Sequence, residues 1–193
     1  MDTEATVNPT GTEHDYPVIR PERSDGEDIG AIHALTAEAF AGVDNSSGTE
    51  SAIIDTLRDE GALTVSLVAV HAGRIVGHVA ASPVTLDPPS AGDWYGLGPF
   101  SVHPDFQKQG VGTALARALI EQLVDLGAEG AVLLGDPSLY SRFGFEARDG
   151  LTMAGLGEEN ASYFQALRLD DGADQSPASY PRAVVSYHAA FDR

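Results

Sequence analysis

The sequence predicts an α/β (α+β) fold with a single mixed central sheet of about six to seven strands, flanked by helices. Short apolar, β-branched segments alternate along the chain with segments whose apolar residues recur at helical spacing. Their order is strand, two helices, three strands, helix, strand, helix and two strands, which predicts helices packed on one sheet. The 193 residues suffice for one domain with its own core, and 42% of them are hydrophobic, as in globular proteins.

The composition of the chain predicts where its one domain begins. Residues 1–15 are polar and acidic, and they contain no apolar segment whose burial could offset the entropy of ordering. We therefore expect a disordered acidic N-terminal tail. Residues 16–193 contain no internal repeat and no second apolar core, so a single domain is expected there.

The first predicted elements are a strand and two helices. Pro17–Pro21 predicts the strand, and Asp25 is a suitable N-cap for the first helix. The second helix follows Thr49 and ends at Gly61, because glycine readily adopts the left-handed conformation that closes a helix.

A β-hairpin and a third strand come next. Leu63–Val70 and Arg74–Val84 are apolar and β-branched, and the short connection between them predicts that they pair. Leu86–Asp93 has the proline-rich and glycine-containing composition of a loop. Trp94–Val102 then predicts a strand that ends before Pro104.

Two helices and three strands complete the predicted fold. Gln109–Leu126 has one apolar face at helical spacing and predicts a long helix. Gly130–Gly135 predicts a buried strand, and Pro137–Gly144 a short helix that begins with proline. Phe164–Leu169 and Ala183–His188 are expected to be the last strands.

The charge of the chain excludes several classes of partner. The formal net charge is −18, and Lys108 is the single lysine among eleven basic residues. A field of this sign repels nucleic-acid phosphates and anionic lipid head groups, so neither nucleic acid nor a membrane is expected as a partner. Because the acidic residues are spread along the chain, we favour a halophilic, salt-adapted surface over a docking surface for a cationic partner.

Cysteine usage and the N-terminal segment narrow the chemistry and the compartment. The chain has no cysteine, which excludes disulfides, thiolate nucleophiles and cysteine metal sites. The N-terminal segment lacks the basic and apolar regions of a signal peptide, and no apolar run is long enough to span a bilayer. We therefore expect a cytoplasmic protein.

The segment Phe100–Thr113 predicts an anion-binding site. It passes from a strand through a short turn into the first residues of a long helix. The first N–H groups of a helix have no internal partner and lie at the positive end of its dipole, so they can bind phosphate oxygens. Gly110 and Gly112 remove side chains that would hold phosphates away, and Lys108 adds an ammonium group beside them.

Gln107, Lys108, Gln109, Gly110, Val111 and Gly112 resemble motif A of the GNAT superfamily of acetyl-CoA-dependent N-acetyltransferases. In that superfamily, motif A wraps the pyrophosphate of coenzyme A. Its pattern is Q/R-x-x-G-x-G/A, where x is any residue. The competing dinucleotide fingerprint needs three glycines in the order G-x-G-x-x-G, and this segment lacks that pattern, as it lacks a Walker loop.

A second segment, Gly135–Phe145, resembles motif B of the same superfamily. It comprises a strand end, a short helix bearing Tyr140, and a closing Gly-Phe pair. The tyrosine stands four residues before the glycine, as the superfamily pattern expects. With the elements around both motifs, the resemblance extends over residues 17–191.

This resemblance implies a GNAT fold, acetyl-CoA as cosubstrate, an amine as acceptor, direct acetyl transfer and no metal. Backbone groups of Phe100 and Val102 would pair with pantetheine, and an N–H near Phe100 would face the thioester oxygen. Tyr140 would be the general acid that protonates the departing thiolate. The implied cofactor-binding residues are Phe100, Ser101, Val102, Gln107, Lys108, Gln109, Gly110, Val111, Gly112 and Thr113.

The general base, the acceptor and the oligomeric state stay open at this stage. An amine is mostly protonated at neutral pH, so a group must accept its proton, directly or through water. The candidates near the expected cleft are His78, Asp93, His103, His188, Glu38 and Glu50. A homodimer is compatible with the sequence. A non-catalytic acyl-CoA-binding sensor module is the alternative function, and a nucleotide-binding domain is a third.

Overall fold

The computed structural model describes residues 16–41, 48–169 and 175–192. The expected tail, residues 1–15, lies outside the described residues. The described strands are β1 (Val18–Pro21), β2 (Val65–His71), β3 (Arg74–Asp87), β4 (Trp94–Val102), β5 (Gly130–Leu134), β6 (Leu151–Met153), β7 (Phe164–Arg168) and β8 (Ala183–Ser186). The α-helices are α1 (Gly26–Phe40), α2 (Glu50–Asp59), α3 (Val111–Asp125) and α4 (Pro137–Tyr140).

The eight strands form one mixed sheet. Its main path runs in the order β1-β2-β3-β4-β5-β7, and β8 joins the far end of β3 and also pairs with β6. The β4–β5 and β6–β8 pairs are parallel, whereas all other strand pairs are antiparallel. The predicted α/β fold with a mixed sheet flanked by helices is confirmed, and the sheet contains one strand more than the seven predicted segments.

The structure differs from the prediction in two strands. β3 continues through Asp87 into the segment predicted as a loop, because Thr85–Asp87 pairs with β8. β6 is three residues long and was not predicted; it is held by pairing with β8, where Leu151 pairs with Ala183.

The start of α3 also differs from the prediction. The helix begins at Val111, two residues later than expected, because Lys108 and Gly110 have left-handed backbone angles, with φ of 60° and 87°. Residues in that conformation cannot continue a right-handed helix. The predicted cap of α1 is confirmed, since the backbone N–H of Asp28 donates to Oδ1 of Asp25 at 2.9 Å.

Helices cover the two faces of the sheet. On one face, α3 buries Val111, Leu115, Leu119 and Leu123 in a core that includes Leu67 of β2. Side chains alternate along a strand, so neighbouring Val68 points to the opposite face. There it packs with Ile32 and Leu35 of α1 and Ile54 of α2. A third group, beneath β6 and β8, contains Trp94, Val132, Phe164 and Tyr180. Within the described residues, no helix is both long and apolar enough to cross a membrane.

Candidate active site

β4 and β5 separate after only three paired positions. Trp94–Gly96 pairs with Gly130–Val132, and beyond that point β4 stays with β3 whereas β5 stays with β7. No described strand pairs with Leu97–Val102 on the β5 side. The sheet therefore contains an internal gap, one wall of which is the backbone of β4.

A bulge in β4 lies at the narrow end of this gap. Phe100 pairs with Val79, and Leu97 pairs with Ala81, so β4 has one residue more than β3 between these two pairs. Such an extra residue locally bends a strand. The bulge carries β4 away from β5 at the level where their pairing ends.

The wide end of the gap leads to the N-terminus of α3. The first described backbone bond there runs from the N–H of Ala114 to the carbonyl of Gly110, at 3.0 Å. In the part of the chain that the structure describes, the N–H groups of Val111, Gly112 and Thr113 make no such backbone bond. These three N–H groups are the orphan donors that a helix terminus offers to an anion.

Gly112 joins this helix terminus to the gap. A Cβ atom at Gly112 would lie 3.7 Å from Cγ2 of Val102 and 3.8 Å from Cζ of Phe100. The structure thus brings together the strand residues and the first helical turn that the sequence predicts to bind the cofactor. Val111 is buried beneath them, and Thr113 is half-buried.

The loop before α3 is held by several polar contacts. Nε2 of Gln107 donates to the carbonyl of Val102 at 3.1 Å, and Nε2 of Gln109 donates to the carbonyl of Asp105. The Lys108 side chain is exposed and forms no ion pair with any residue that the structure describes. Its ammonium group is available to an anion.

Gly110 is needed for its backbone angle and for a close contact. Its φ of 87° is strained for any residue with a Cβ atom. A Cβ atom there would also lie 2.1 Å from the Tyr16 hydroxyl, which donates to the carbonyl of Gln109 at 2.7 Å. Tyr16, just before β1, thus supports the predicted cofactor loop, a role that the sequence did not reveal because the contact joins residues 93 positions apart.

Ser101 faces α1 rather than the gap. Its side chain is 1% exposed, and its hydroxyl donates to Oγ1 of Thr36 at 3.2 Å. Its predicted cofactor contact is therefore restricted to its backbone. The Ser101–Thr36 contact attaches α1 to the C-terminal end of β4.

Tyr140 lies at the end of α4, which follows β5 on the other side of the gap. The ring packs against the same core as Phe100 and Val102, and it meets the ring of Phe145 edge-on at 6.4 Å. Burial raises the pKa of Tyr140 above its ordinary value near 10. The hydroxyl makes no hydrogen bond to a described residue, so a neutral, unpartnered phenol is available here.

Gly135 contacts the ring of Tyr140, and Gln165 holds Gly135 in place. A Cβ atom at Gly135 would lie 2.6 Å from Cε2 of Tyr140. Nε2 of Gln165, which is 1% exposed, donates to the carbonyl of Gly135 at 2.9 Å. In the sequence, Gln165 differs from its neighbours as a polar residue between apolar ones in the strand, which could have indicated this role.

Two buried hydroxyl groups lie where β4 and β5 begin to separate. The ring of Tyr187 packs on Gly96, because a Cβ atom at Gly96 would lie 2.3 Å from Cε1 of Tyr187. Ser82 pairs with Gly96, and neither its hydroxyl nor that of Tyr187 has a partner among the described residues. Burial raises the pKa of Tyr187, so this hydroxyl stays protonated. The glycine in β4 was the only sequence signal of this contact.

The structure separates the six candidate bases. His78 is fully buried, Nε2 lies 2.9 Å from Oγ of Ser66, and burial, with a smaller effect from the Arg58 charge, lowers its pKa to about 3. Such a weak base holds an amine proton poorly. Asp93 is exposed at the closed end of β4, and Glu50 lies in the first turn of α2.

The other three candidates lie in two similar pairs of His with Glu, the second of which is completed by Glu60. Nε2 of His103 lies 3.4 Å from Oε1 of Glu38, near the open end of the gap. Nε2 of His188 lies 3.3 Å from Oε2 of Glu60, at the end of α2. Both histidines accept a backbone N–H at Nδ1, from Asp105 and Ala190 respectively. Glu38 is the exposed carboxylate of the first pair.

The described residues include no group of three or more His, Asp or Glu side chains arranged to hold a metal ion. The geometry instead offers an unpaired strand backbone that leads to an anion-binding helix terminus. An extended ligand that ends in phosphates fits both features.

Comparison with known proteins relates this geometry to a family. The model of the "Acetyltransferase (GNAT) family" matches residues 29–145. The uncharacterized N-acetyltransferase YhbS of Escherichia coli K12 is 36% identical over 169 residues, which cover 86% of this chain and 94% of YhbS.

Two solved structures resemble the whole chain. A GNAT family acetyltransferase from Brucella melitensis, in complex with acetyl-CoA, is 42% identical with a TM-score of 0.76; the match covers 93% of this chain and 100% of that one. E. coli YhbS, in complex with CoA, is 30% identical in the structural match with a TM-score of 0.78, covering 100% of this chain and 97% of that one.

Proposed function

Because the chain belongs to the GNAT family of acetyltransferases, we propose that it transfers the acetyl group of acetyl-CoA to the nitrogen of an amine. The observation that carries this proposal is the gap between β4 and β5, which leads to the N-terminus of α3. Both similar crystal structures contain acetyl-CoA or CoA, which supports acetyl-CoA as the cosubstrate.

In this proposal the cofactor adds a strand to β4. The backbone of Phe100 and Val102 hydrogen-bonds pantetheine, as an extended ligand pairs with an open strand edge. Nε2 of Gln107 now donates to the Val102 carbonyl. The Gln107 side chain therefore moves away when pantetheine hydrogen-bonds this carbonyl. An N–H near Phe100 stabilises negative charge on the thioester oxygen.

The pyrophosphate binds at the helix terminus. The N–H groups of Val111, Gly112 and Thr113 donate to its oxygens, and Lys108 neutralises part of its charge. In a chain with a net charge of −18, such local donors are the means of capturing an anion. Gln109 and Gly110 hold the loop in the required conformation, and Gln107 does so until the ligand takes the Val102 carbonyl.

Tyr140 acts as the general acid. Acetyl transfer breaks the C–S bond of the thioester and forms a C–N bond, without a covalent acetyl-enzyme. The departing thiolate then takes the proton of the Tyr140 hydroxyl, and the amine loses a proton to a base or to water. A free thiol has a pKa of ~8.5 and a free phenol one of ~10, and burial raises the pKa of Tyr140 further, so this transfer is uphill and depends on holding the two groups in contact.

The amine approaches on the face covered by α1 and α2. On that face, α1 contacts β4 through Thr36, and the buried hydroxyls of Ser82 and Tyr187 lie at the narrow end of the gap. The low pKa of His78 argues against it as the base. Glu38 remains the exposed carboxylate beside the open end of β4.

Calorimetric titration with acetyl-CoA, in high and in low salt, tests the cofactor assignment. We expect saturable binding by the wild type and loss of binding in a Lys108→Ala, Gly112→Asp double variant. An amine panel then tests turnover. Binding without turnover on any amine would favour the non-catalytic sensor, whereas no binding by folded protein in either salt would overturn the acetyltransferase proposal.

A further inference from the structure

His103 connects β4 to the loop that carries the predicted pyrophosphate site. Its side chain is 6% exposed, and its backbone N–H donates to the carbonyl of Val76 at 2.9 Å. Nδ1 accepts the backbone N–H of Asp105 at 3.2 Å. Since an accepting ring nitrogen carries no proton, the proton of the neutral ring is on Nε2.

The other side of the ring is enclosed by α1 and by an aromatic contact. Nε2 faces Oε1 of Glu38 at 3.4 Å. The ring also meets Phe106 edge-on, with 5.9 Å between centroids, and Phe106 in turn contacts the ring of His71. The imidazole is therefore buried against Phe106 and held at Nδ1, and its orientation determines where this acceptor nitrogen points.

The bond to Asp105 extends into the cofactor loop. The turn Pro104–Phe106 is a single turn of 3₁₀ helix, and His103 is its N-cap. The peptide N–H of Asp105 is held by His103, while its carbonyl accepts the side-chain amide of Gln109. A short chain of hydrogen bonds thus leads from the His103 ring to the residue before Gly110.

We propose that His103 is a positioning residue for cofactor binding: its neutral imidazole, by accepting the Asp105 N–H, fixes the turn that presents Lys108–Thr113 to the pyrophosphate. This inference rests on the proposed function, because it presumes that acetyl-CoA binds at this loop. His103 acts through the loop and touches neither substrate. Nδ1, the nitrogen that carries no proton, already accepts the Asp105 N–H, which also removes His103 from the candidate bases.

The chain contains a second copy of this arrangement. His188 caps the 3₁₀ turn Ala189–Phe191, Nδ1 accepts the N–H of Ala190 at 3.2 Å, and Nε2 lies 3.3 Å from Glu60. The local geometry matches that of His103, but the turn follows β8 and packs against α2 rather than leading into α3. His188 is therefore a matched control for loss of a histidine cap.

Asparagine at position 103 would keep the capping hydrogen bond and lose the packing of the ring. An Asn side-chain oxygen accepts the backbone N–H two residues further on, which is the bond that His103 makes. Leucine approximates the size of the ring but accepts no hydrogen bond. His103→Asn and His103→Leu therefore separate the hydrogen bond from the packing of the ring.

The test is the acetyl-CoA dissociation constant of wild type, His103→Leu, His103→Asn and His188→Leu, measured by calorimetry, with the Tm of each protein. We expect the Kd to rise about tenfold in His103→Leu, the effect of one lost hydrogen bond, and to stay within about threefold of wild type in His103→Asn. His188→Leu should lower the Tm by about as much as His103→Leu does, because each loses one hydrogen bond, and should leave the Kd within about twofold of wild type.

Each result supports or overturns the inference. Failure of the wild type to bind acetyl-CoA would overturn the proposed function together with this inference. Unchanged affinity in folded His103→Leu would overturn the inference alone, as would an equal loss of affinity in His188→Leu. If His103→Leu does not fold, His103→Asn decides: near wild-type affinity supports the role of the cap, and a tenfold loss in the folded variant contradicts it.

Discussion

Gly112 and Val102 approach each other where the first turn of α3 meets the open edge of β4, with 3.7 Å between a Cβ atom built at Gly112 and Cγ2 of Val102. This distance is an ordinary van der Waals contact, so the position tolerates a small side chain. A substitution here can test the anion site without strain in the backbone.

We expect Gly112→Asp to abolish acetyl-CoA binding while the protein stays folded. A carboxylate in the first turn of a helix favours the helix but repels a pyrophosphate at the same terminus. The Kd should rise at least about 100-fold by calorimetry, the effect of roughly 3 kcal/mol, with no fall in Tm. Gly112→Ala is the control and should bind within about threefold of wild type. Equal binding by both variants would contradict the assigned site.

Tyr140→Phe should lower kcat about 100-fold or more and leave the acetyl-CoA Kd unchanged, because it removes the proposed general acid and keeps the ring. The acid works only when protonated. Burial raises its pKa, so the alkaline loss of activity due to Tyr140 should begin above its ordinary value near 10. Tyr163→Phe, at a tyrosine of the same region that is 45% exposed, should retain full activity. An unchanged kcat in Tyr140→Phe would remove the assignment.

Gly135→Ala should lower kcat about tenfold without affecting cofactor affinity. The new methyl group would meet Cε2 of Tyr140 at 2.6 Å and displace the phenol, and small misplacements of a catalytic group are costly. The control is Gly30→Ala, at an exposed position of α1 with no neighbouring atom within 4 Å. Wild-type kcat in both variants would show that the position of Tyr140 does not limit the reaction.

Asp28 should contribute stability that is lost in acid. Its carboxylate accepts hydrogen bonds from the Arg20 guanidinium at 2.6 and 2.9 Å and from the N–H of Arg23, and chiefly the Arg20 bonds lower its pKa to about 2. Because the folded pKa lies below the ordinary 3.8, this stability is present above about pH 4 and disappears as the pH falls through about 2.

Urea unfolding from pH 7 to pH 2 measures this contribution. Asp28→Asn should cost about 2 kcal/mol at pH 7, the scale of hydrogen bonds to a charged group, and almost nothing near pH 2. The exposed Asp59→Asn is the control and should change stability little at either pH. A cost for Asp28→Asn that is the same at every pH would exclude ionisation as its cause.

The acidic composition predicts stabilisation by salt. With a net charge of −18, repulsion between surface carboxylates weakens the folded state, and salt screens it. We expect the Tm to rise by about 5 °C or more between 0.05 and 2 M KCl. Full stability in salt-free buffer would contradict the expected adaptation to high salt.

Local signals in the sequence were sufficient for most of the fold. Trp94–Val102 and the Asp25 cap depend on neighbouring residues, and the structure has both as predicted. β6 and the end of β3 could not be predicted, because each depends on pairing with β8, far along the chain. Pairing between distant segments leaves little trace in either segment alone.

Some residues of the candidate site could likewise be predicted from one local segment, whereas others could not. Gly110, Gly112 and Lys108 lie in one continuous segment whose pattern predicts them as binding residues. Tyr16 and Gln165 support the site from other elements, through contacts with Gln109 and Gly135 that only the fold creates. The sequence indicated His103 as a candidate base, but its role as the N-cap of a 3₁₀ turn depends on the conformation of the turn after it.

The open edge of β4 lies inside the molecule, which bears on aggregation. An unpaired strand at the outside of a sheet can recruit the strand of another chain. Here the unpaired segment has β5 and α4 across the gap, α3 on one face and α1 on the other. The strand of another chain could pair with this edge only by displacing these neighbours. The recess that leaves the edge unpaired therefore also shields it from edge-to-edge aggregation.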